Sequence, residues 1–424
     1  MKRYFLLFLV VVIFLTSCTS TKDFVSPIAT SDELTIEEKL VYYGGKPVLV
    51  DLEEAYFDGS KWLDKAISLI NGAEDYILLS TFLGSSSPSL EPLYSALESK
   101  AKEGVRVYLI IDGSSNLDMT ETRFVMTPLN YLRESGVELL IYAPFSFTHI
   151  INPSSLIVRD HRKMMIVDGQ TAVLGGMNIN YISMGSGDET QRDSMYVFSS
   201  PSLCKLLLSE FVTIWNESSV VKIDEDSFYI NSEENGGEKA WLFNRNVFSS
   251  DVSISGMFGS LINEAEESIF LCPYLPATDE YMNKALKNAV DRGVDTQIWS
   301  SLDSRGYAKS GGIYAISNLI SETDALYYDV SNDEEGEAYP LFHMKVLIID
   351  DRYIVIGSTN FNYRSMNLSH EVSLVIDSAE IAKMVKENVK EVAGNPVLVT
   401  KEMAEEDKKA FGSFLSYLFT YFGG

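Results

Sequence analysis

Ser68-Leu69-Ile70-Asn71-Gly72-Ala73-Glu74 returns later in the chain as Ser260-Leu261-Ile262-Asn263-Glu264-Ala265-Glu266, with six of the seven residues identical. Each copy leads into a short apolar run, Tyr76–Thr81 or Ser268–Cys272, that reads as a buried strand. A helical pattern follows each run, at 90–103 and 279–292, and each ends on a Gly-Val pair, Gly104-Val105 and Gly293-Val294. Glycine there supplies the left-handed residue that closes a helix. A further strand comes next, at 106–111 and 296–300. Strand, helix and strand in succession predict an α/β fold. Because the pattern occurs twice, the chain is expected to form two pseudo-symmetric repeats, each a mainly parallel β-sheet flanked by helices.

The repeats are placed at 41–222 and 241–400. Between them, 223–240 reads as an acidic linker containing Asp224-Glu225-Asp226 and Glu233-Glu234-Asn235-Gly236-Gly237. Residues 401–424 form a C-terminal amphipathic, aromatic segment. Its stretch 411–422 reads either as a helix docked on the core or as one lying at a membrane interface.

At the other end, Met1-Lys2-Arg3 is basic and 4–15 is uncharged and apolar. Spanning a bilayer takes about 20 apolar residues, so this run has the length of a signal-peptide core instead. It closes on Leu15-Thr16-Ser17-Cys18, which resembles the lipobox of bacterial lipoproteins. Residues 1–18 are therefore expected to be a lipoprotein signal peptide, Cys18 the lipidated residue and 19–40 a polar tether. The resemblance implies an extracytoplasmic protein anchored in the bacterial cell envelope. Thr19, in place of the aspartate of inner-membrane retention, implies the outer membrane if the organism has two.

The 424 residues carry 60 acidic side chains against 34 basic ones, a net charge of −26. Proteins that grip nucleic acid neutralise its phosphates with Lys and Arg, whereas this chain repels DNA at long range. Nucleic acid is thus an unexpected partner. Cys204 and Cys272 lie in apolar settings and read as small buried hydrophobes. No Cys/His cluster has the spacing of a zinc site, and no metal or other cofactor is expected.

Of four histidines, two open the same pattern: His161-Arg162-Lys163 with Asp168 five residues on, and His343-Met344-Lys345 with Asp350 five residues on. In an extended chain, residues two apart share a face, so His161 projects with Lys163 and His343 with Lys345. An imidazole beside an ammonium suits a phosphate: one attacks or protonates while the other neutralises charge. Asp168 and Asp350 end apolar strands, where a role in fixing the turn is expected. Downstream lie Gly175-Gly176-Met177-Asn178 and Gly357-Ser358-Thr359-Asn360, whose asparagine amides suit a phosphate oxygen. Asp193 and Glu371 are carboxylates placed to hold a histidine's second nitrogen. His370, one residue from Glu371, points to the opposite face of a strand and reads as structural, as does His149. The acidic run 333–337 reads as a solvated loop.

These two His-x-Lys-x4-Asp motifs resemble those of the phospholipase D superfamily. Arg159-Asp160-His161-Arg162-Lys163, Arg192-Asp193, Pro273-Tyr274 and the segment from Gly357 to Ser365 are similar to its bacterial cardiolipin synthase branch. Asp160 and Ser369 depart from it, each standing where that branch usually has asparagine. The resemblance implies that the catalytic set comprises His161, Lys163, Asp168, His343, Lys345, Asp350, Asp193 and Glu371, with Asn178 and Asn360 binding phosphate. It implies an active site at the interface of the two repeats, with His161 as nucleophile, His343 as acid and base, and a phosphohistidine intermediate formed without metal. The expected activity is a phosphatidyltransferase acting on a phospholipid such as phosphatidylglycerol at a membrane. A phospholipase D that releases phosphatidic acid uses the same residues. An extracytoplasmic nuclease and a non-catalytic surface module stand behind both.

Overall fold

The computed structural model describes residues 33–117, 129–144, 158–185, 190–231, 236–247, 252–302, 308–331 and 340–423. Cys18, His149 and the acidic run 333–337 lie outside the described residues. The first half contributes β1 (Lys46–Tyr56), β2 (Tyr76–Thr81), β3 (Arg106–Asp112), β4 (Glu138–Tyr142), β5 (Arg159–Asp160), β6 (Met164–Val167), β7 (Thr171–Gly175), β8 (Gln191–Arg192) and β9 (Met195–Ser199). The second contributes β10 (Glu238–Arg245), β11 (Ser268–Cys272), β12 (Asp295–Ser300), β13 (Leu326–Asp329), β14 (Leu341–Phe342), β15 (Val346–Ile349), β16 (Tyr353–Gly357), β17 (Ser369–Asp377) and β18 (Val397–Val399).

The predicted strands at the head of each half form where expected, and so do the helices between them, Glu91–Lys102 and Glu280–Asp291. Gly104 and Gly293 have φ of 98° and 89°, the left-handed conformation that the C-caps require. The amide of Val105 reaches back to the carbonyl of Lys100, and that of Val294 to Ala289, so both helices close in the same way.

One continuous sheet runs through both halves in the order β18-β13-β12-β11-β15-β16-β17-β10-β1-β9-β7-β6-β2-β3-β4. The order reads as the same seven-strand sequence outward from the centre in each direction, with β18 added at one edge. The seam is the antiparallel pair β1–β10, which matches Val48 with Ala240. Along this path, parallel pairing is confined to β2–β3–β4 and β11–β12–β13. The expectation of mainly parallel sheets is therefore corrected: the sheet is mixed, and the strands that carry the motifs, β6 and β15, pair antiparallel with both neighbours. Crossover helices enforce parallel pairing only where they occur, and tight turns join β6 to β7 and β15 to β16.

Every residue of β2, β6, β15 and β16 is buried, because helices cover both faces of the sheet. The helices Pro201–Ser218 and Ala379–Ala393 cover one face, in a core that draws on both halves. Separate outer cores back each half on the other face. Cys204 and Cys272 are buried in the shared core, as expected.

Two expected boundaries move. The tether does not extend to residue 40: Ile36–Tyr42 is a helix capped by Thr35, and it buries Leu40 against the second half. The linker does not extend to 240, since β10 begins at Glu238 and pairs on both sides. An apolar side chain that finds a cover joins the body whatever the polarity of its neighbours.

Asp168 and Asp350 anchor the folded halves. The Asp168 carboxylate accepts the backbone amides of Glu74, Asp75 and Tyr76, each at 2.8 Å. Asp350 accepts those of Glu266, Glu267 and Ser268 at 2.8–3.0 Å. Each closes the first turn of β2 or β11 from the far end of the motif strand. These bonds are the ones that the expected role in fixing the turn requires. Asp350→Ala should lower stability by about 2 kcal/mol, the scale of losing charge-assisted hydrogen bonds at a part-exposed site. A urea melt should show that drop while turnover per folded molecule persists.

Candidate active site

His161 follows β5 and His343 follows β14, two-residue strands that do not pair within their own half. β5 lies parallel to the start of β17, matching Asp160 with His370. β14 lies parallel to β8, matching Phe342 with Arg192. Each bridge ends in the same bond: the His161 amide donates to the His370 carbonyl at 3.0 Å, and the His343 amide to the Arg192 carbonyl at 2.8 Å. The next residue on the partner strand is Glu371 in one case and Asp193 in the other.

The consequence is an exchange across the seam. His161 Nδ1 lies 3.0 Å from Glu371 Oε1 and 3.2 Å from Oε2. His343 Nδ1 lies 2.6 Å from Asp193 Oδ2. The sequence placed both carboxylates correctly but left their partners open, and each serves the other half's histidine. With Nδ1 engaged, Nε2 is the nitrogen left for chemistry. All four side chains are buried.

Lys163 and Lys345 lie where the alternation put them. Each Nζ bonds the carbonyl of its own histidine at 2.5 Å. Lys345 Nζ also lies 2.8 Å from His343 Nδ1 and 3.5 Å from Asp193 Oδ2. Arg162 turns to the opposite face and clamps Asp160, at 2.8 and 3.0 Å. The departure to aspartate at 160 thus has a charged partner. His370 also faces away, with Nε2 3.0 Å from the Tyr142 hydroxyl, as expected of a structural residue.

Asn178 accepts the Leu83 amide through Oδ1, which leaves its NH2 as the donor end. Asn360 is buried, and its Oδ1 has no hydrogen-bond partner among the described residues. Three contributors were given no role by the sequence reading, although Tyr274 and Ser358 stand in its motifs. The ring of Phe82 packs edge-on against His161, with centroids 4.8 Å apart, and Tyr274 packs on His343 at 4.4 Å. Phe82 and Tyr274 follow β2 and β11 at matching places, so aligning the repeats one step further would have found the pair. Ser358 donates to Glu371 Oε2 at 2.5 Å. Its counterpart Gly176 has no room for a side chain, since a Cβ there would stand 2.2 Å from Asp193 Oδ1.

The two carboxylates differ electrically. Burial, opposed by Lys163 and the Ser358 hydroxyl, leaves the Glu371 carboxyl raised to about 7. Burial would raise Asp193 too, but the charges of Lys345 and His343 overcome it and hold Asp193 below the usual range. Burial and the neighbouring ammoniums push both imidazoles down, His343 to about 4 and His161 well below its ordinary value. Burial also lowers Lys345 to about 8, against the pull of Asp193 and Glu371. The charges of Lys163, Lys345, Arg364 and His343 all bear on His161, so the two motifs share one electrostatic site. The pocket gathers Lys163, Lys345 and Arg364 around the histidines, although the chain as a whole carries −26.

A family profile described as "Cardiolipin synthase, PLD-like domain" matches residues 66–215 and 259–393, about two thirds of the chain. The chain belongs to that family. Among its curated members, cardiolipin synthase 1 of Staphylococcus epidermidis is 25% identical over 357 residues, covering 83% of this chain and 70% of the relative. The cardiolipin synthase of Clostridium perfringens is 27% identical over 346 residues, covering 79% and 68%. The phosphatidylserine synthase of Haemophilus influenzae superposes with a TM-score of 0.70 at 12% identity, over 91% of this chain and 98% of that one, and so shares its fold. Each matched segment of the cardiolipin synthase, PLD-like domain holds one motif, and each histidine's carboxylate lies in the other segment.

Two titrations follow from these environments. A Glu371 pKa raised from 4.5 to about 7 stabilises the fold fully below pH 4.5, and that contribution fades as pH rises through 7. Glu371→Gln should remove this slope from urea melts taken across the range. Because Lys345 titrates near 8, kcat/KM should fall above that pH, and Lys345→Arg should move the alkaline limb upward in a pH–rate profile.

Proposed function

We propose that this protein is a cardiolipin synthase-like phosphatidyltransferase that acts on phospholipid phosphodiesters through a phosphohistidine. The observation that carries this reading is the crossed pairing of His161 with Glu371 and His343 with Asp193 in one cationic pocket. His161 Nε2 attacks phosphorus, and the bond from phosphorus to the leaving alcohol breaks while His343 supplies that alcohol's proton. An acceptor hydroxyl then attacks the phosphohistidine, gives its proton back to His343 and releases His161. One difficult displacement becomes two easier ones.

The electrical difference supports these roles. Asp193 stays ionised beside His343 and so stabilises an imidazolium, as an acid and base requires. Glu371 is neutral at pH values below about 7, which keeps His161 an uncharged nucleophile. Lys163, Lys345, Asn178 and Asn360 lie where charge develops on the phosphoryl oxygens, and preorganised donors there lower the barrier. Both imidazoles are at most 7% exposed, which limits access by bulk water and favours transfer to a lipid alcohol over hydrolysis.

The substrate in this reading is phosphatidylglycerol, and the protein sits on the envelope membrane. The lipobox-like Leu15-Thr16-Ser17-Cys18 supports a lipid anchor at Cys18. Among the described residues no helix is long and apolar enough to cross a membrane.

Labelled phosphatidylglycerol in mixed micelles, with and without added glycerol, tests the proposal. Labelled cardiolipin is the expected product, and phosphatidic acid alone would replace transfer with hydrolysis. His161→Ala and His343→Ala should each lower turnover by at least about a thousandfold, as removal of a covalent catalyst or its proton carrier does. Full activity in either variant would reject the mechanism.

A further inference from the structure

The C-terminal segment does more than cover the core. Lys401–Phe411 and Phe414–Gly423 are two helices that pack along the helix Ala308–Thr323. The second has two unlike faces. Inward, Thr420 is buried against Gly311, where a Cβ would come within 2.3 Å of its hydroxyl. On the same side, Tyr417 packs on Tyr314 with ring centroids 5.1 Å apart, and Tyr421 stacks on Tyr363 at 4.3 Å. Outward, Phe414 and Leu415 remain 57% and 43% exposed, Phe414 meeting the Tyr314 ring with one edge at a centroid distance of 5.7 Å, and Phe411 at the end of the preceding helix is 64% exposed beside them. A helix docked only as core cover would turn such side chains inward.

Position and charge decide what this face meets. Tyr363 opens the helix that follows Asn360, and its amide bonds the Ala277 carbonyl in the loop that carries Tyr274. The aromatic helix is therefore fastened to two segments that line the active site. From Phe411 to the last residue no side chain is charged, in a protein whose net charge is −26. At the edge of the exposed rings stand two exposed lysines: Lys409 at the end of the preceding helix, and Lys309 beside Ser310, whose carbonyl accepts the Ser413 amide. Lys408 turns inward instead: its Nζ lies 4.8 Å over the Tyr314 ring, bonds Asn318 at 2.9 Å and stands 3.5 Å from Glu405. Exposed aromatics within a basic rim complement an anionic lipid surface: the rings enter the interfacial layer and the ammoniums meet phosphates.

We propose that Phe411, Phe414 and Leu415, rimmed by Lys309 and Lys409, dock on an anionic phospholipid bilayer and hold the active-site face against the layer that contains its substrate. This rests on the phospholipid reading of the site. An anchor at Cys18 would tether every variant equally, so bulk vesicle binding is not the readout. Two measurements on the full chain are. In the first, Phe414→Trp places an indole on the face. Its emission should shift to the blue, and brominated phosphatidylcholine should quench it, in vesicles that also contain phosphatidylglycerol. In the second, the triple variant Phe411→Ser, Phe414→Ser, Leu415→Ser should lose about tenfold in turnover of vesicle phosphatidylglycerol, given the apolar area removed. Its turnover of the soluble bis(4-nitrophenyl) phosphate and its melting temperature should match the parent.

An unquenched indole, or equal losses on lipid and on soluble phosphodiester, would overturn the proposal. So would a blue shift that needs no lipid and grows with protein concentration, which would make the face a contact between copies. A parent chain inactive on both substrates would count against the proposed function, and the quenching measurement would still decide the docking surface.

Discussion

Each imidazole takes its carboxylate from the other half of the chain, and the site exists only because two short strands cross the seam to make that possible. β5 reaches β17 and β14 reaches β8, each through a pair of residues. The bridges place His161 beside Glu371 and His343 beside Asp193 with the same backbone bond. Neither half holds a complete catalytic pair, so a separated half would bury an uncompensated ionisable group. That couples assembly of the site to closure of the whole sheet.

The two bridges are supported differently. On the β5 side the buried Asp112 carboxylate accepts the Asp160 amide at 2.8 Å, Asp160 holds Arg162, and Tyr142 meets His370. On the β14 side Arg192 alone spreads its guanidinium over the carbonyls of Val330, Pro340, Val392 and Ala393. Charge pairs hold one bridge and backbone dipoles the other. A pseudo-symmetric frame thus surrounds a pair of histidines with unequal environments, as a reaction with one nucleophile and one proton carrier needs. The smallest sign of that inequality is Gly176 opposite Ser358. The shorter Asp193 fills the space a side chain would take, whereas the longer Glu371 leaves room for a hydroxyl.

Burial works in two directions here. It depresses the imidazoles and the Lys345 ammonium, so the unliganded pocket carries less charge than its composition suggests. A phosphodiester anion entering among them favours the protonated forms of His343 and Lys345, because an opposite charge nearby stabilises them. Substrate and site charge each other, which also explains how a protein of net charge −26 accommodates an anion at its centre.

Much of this was legible in the chain itself. The repeat, the strand–helix–strand heads, the paired motifs and the structural part of Asp168 and Asp350 follow from local rules: period, glycine caps and side-chain alternation. Those rules act over a few residues, and the sequence states them directly. The mixed sheet, the helix at 36–42 and the early start of β10 were not legible, because pairing direction and cover depend on distant partners. The exchange of Glu371 and Asp193, the rings of Phe82 and Tyr274 and the asymmetry in charge were decided by tertiary structure. They arise where distant parts of the chain meet: 210 positions separate His161 from Glu371, and 150 separate His343 from Asp193. Sequence by itself determined which groups are present and which face of their strand they take. Only the folded sheet decided which of them touch, because a hydrogen bond is set by distance in space and not by separation along the chain.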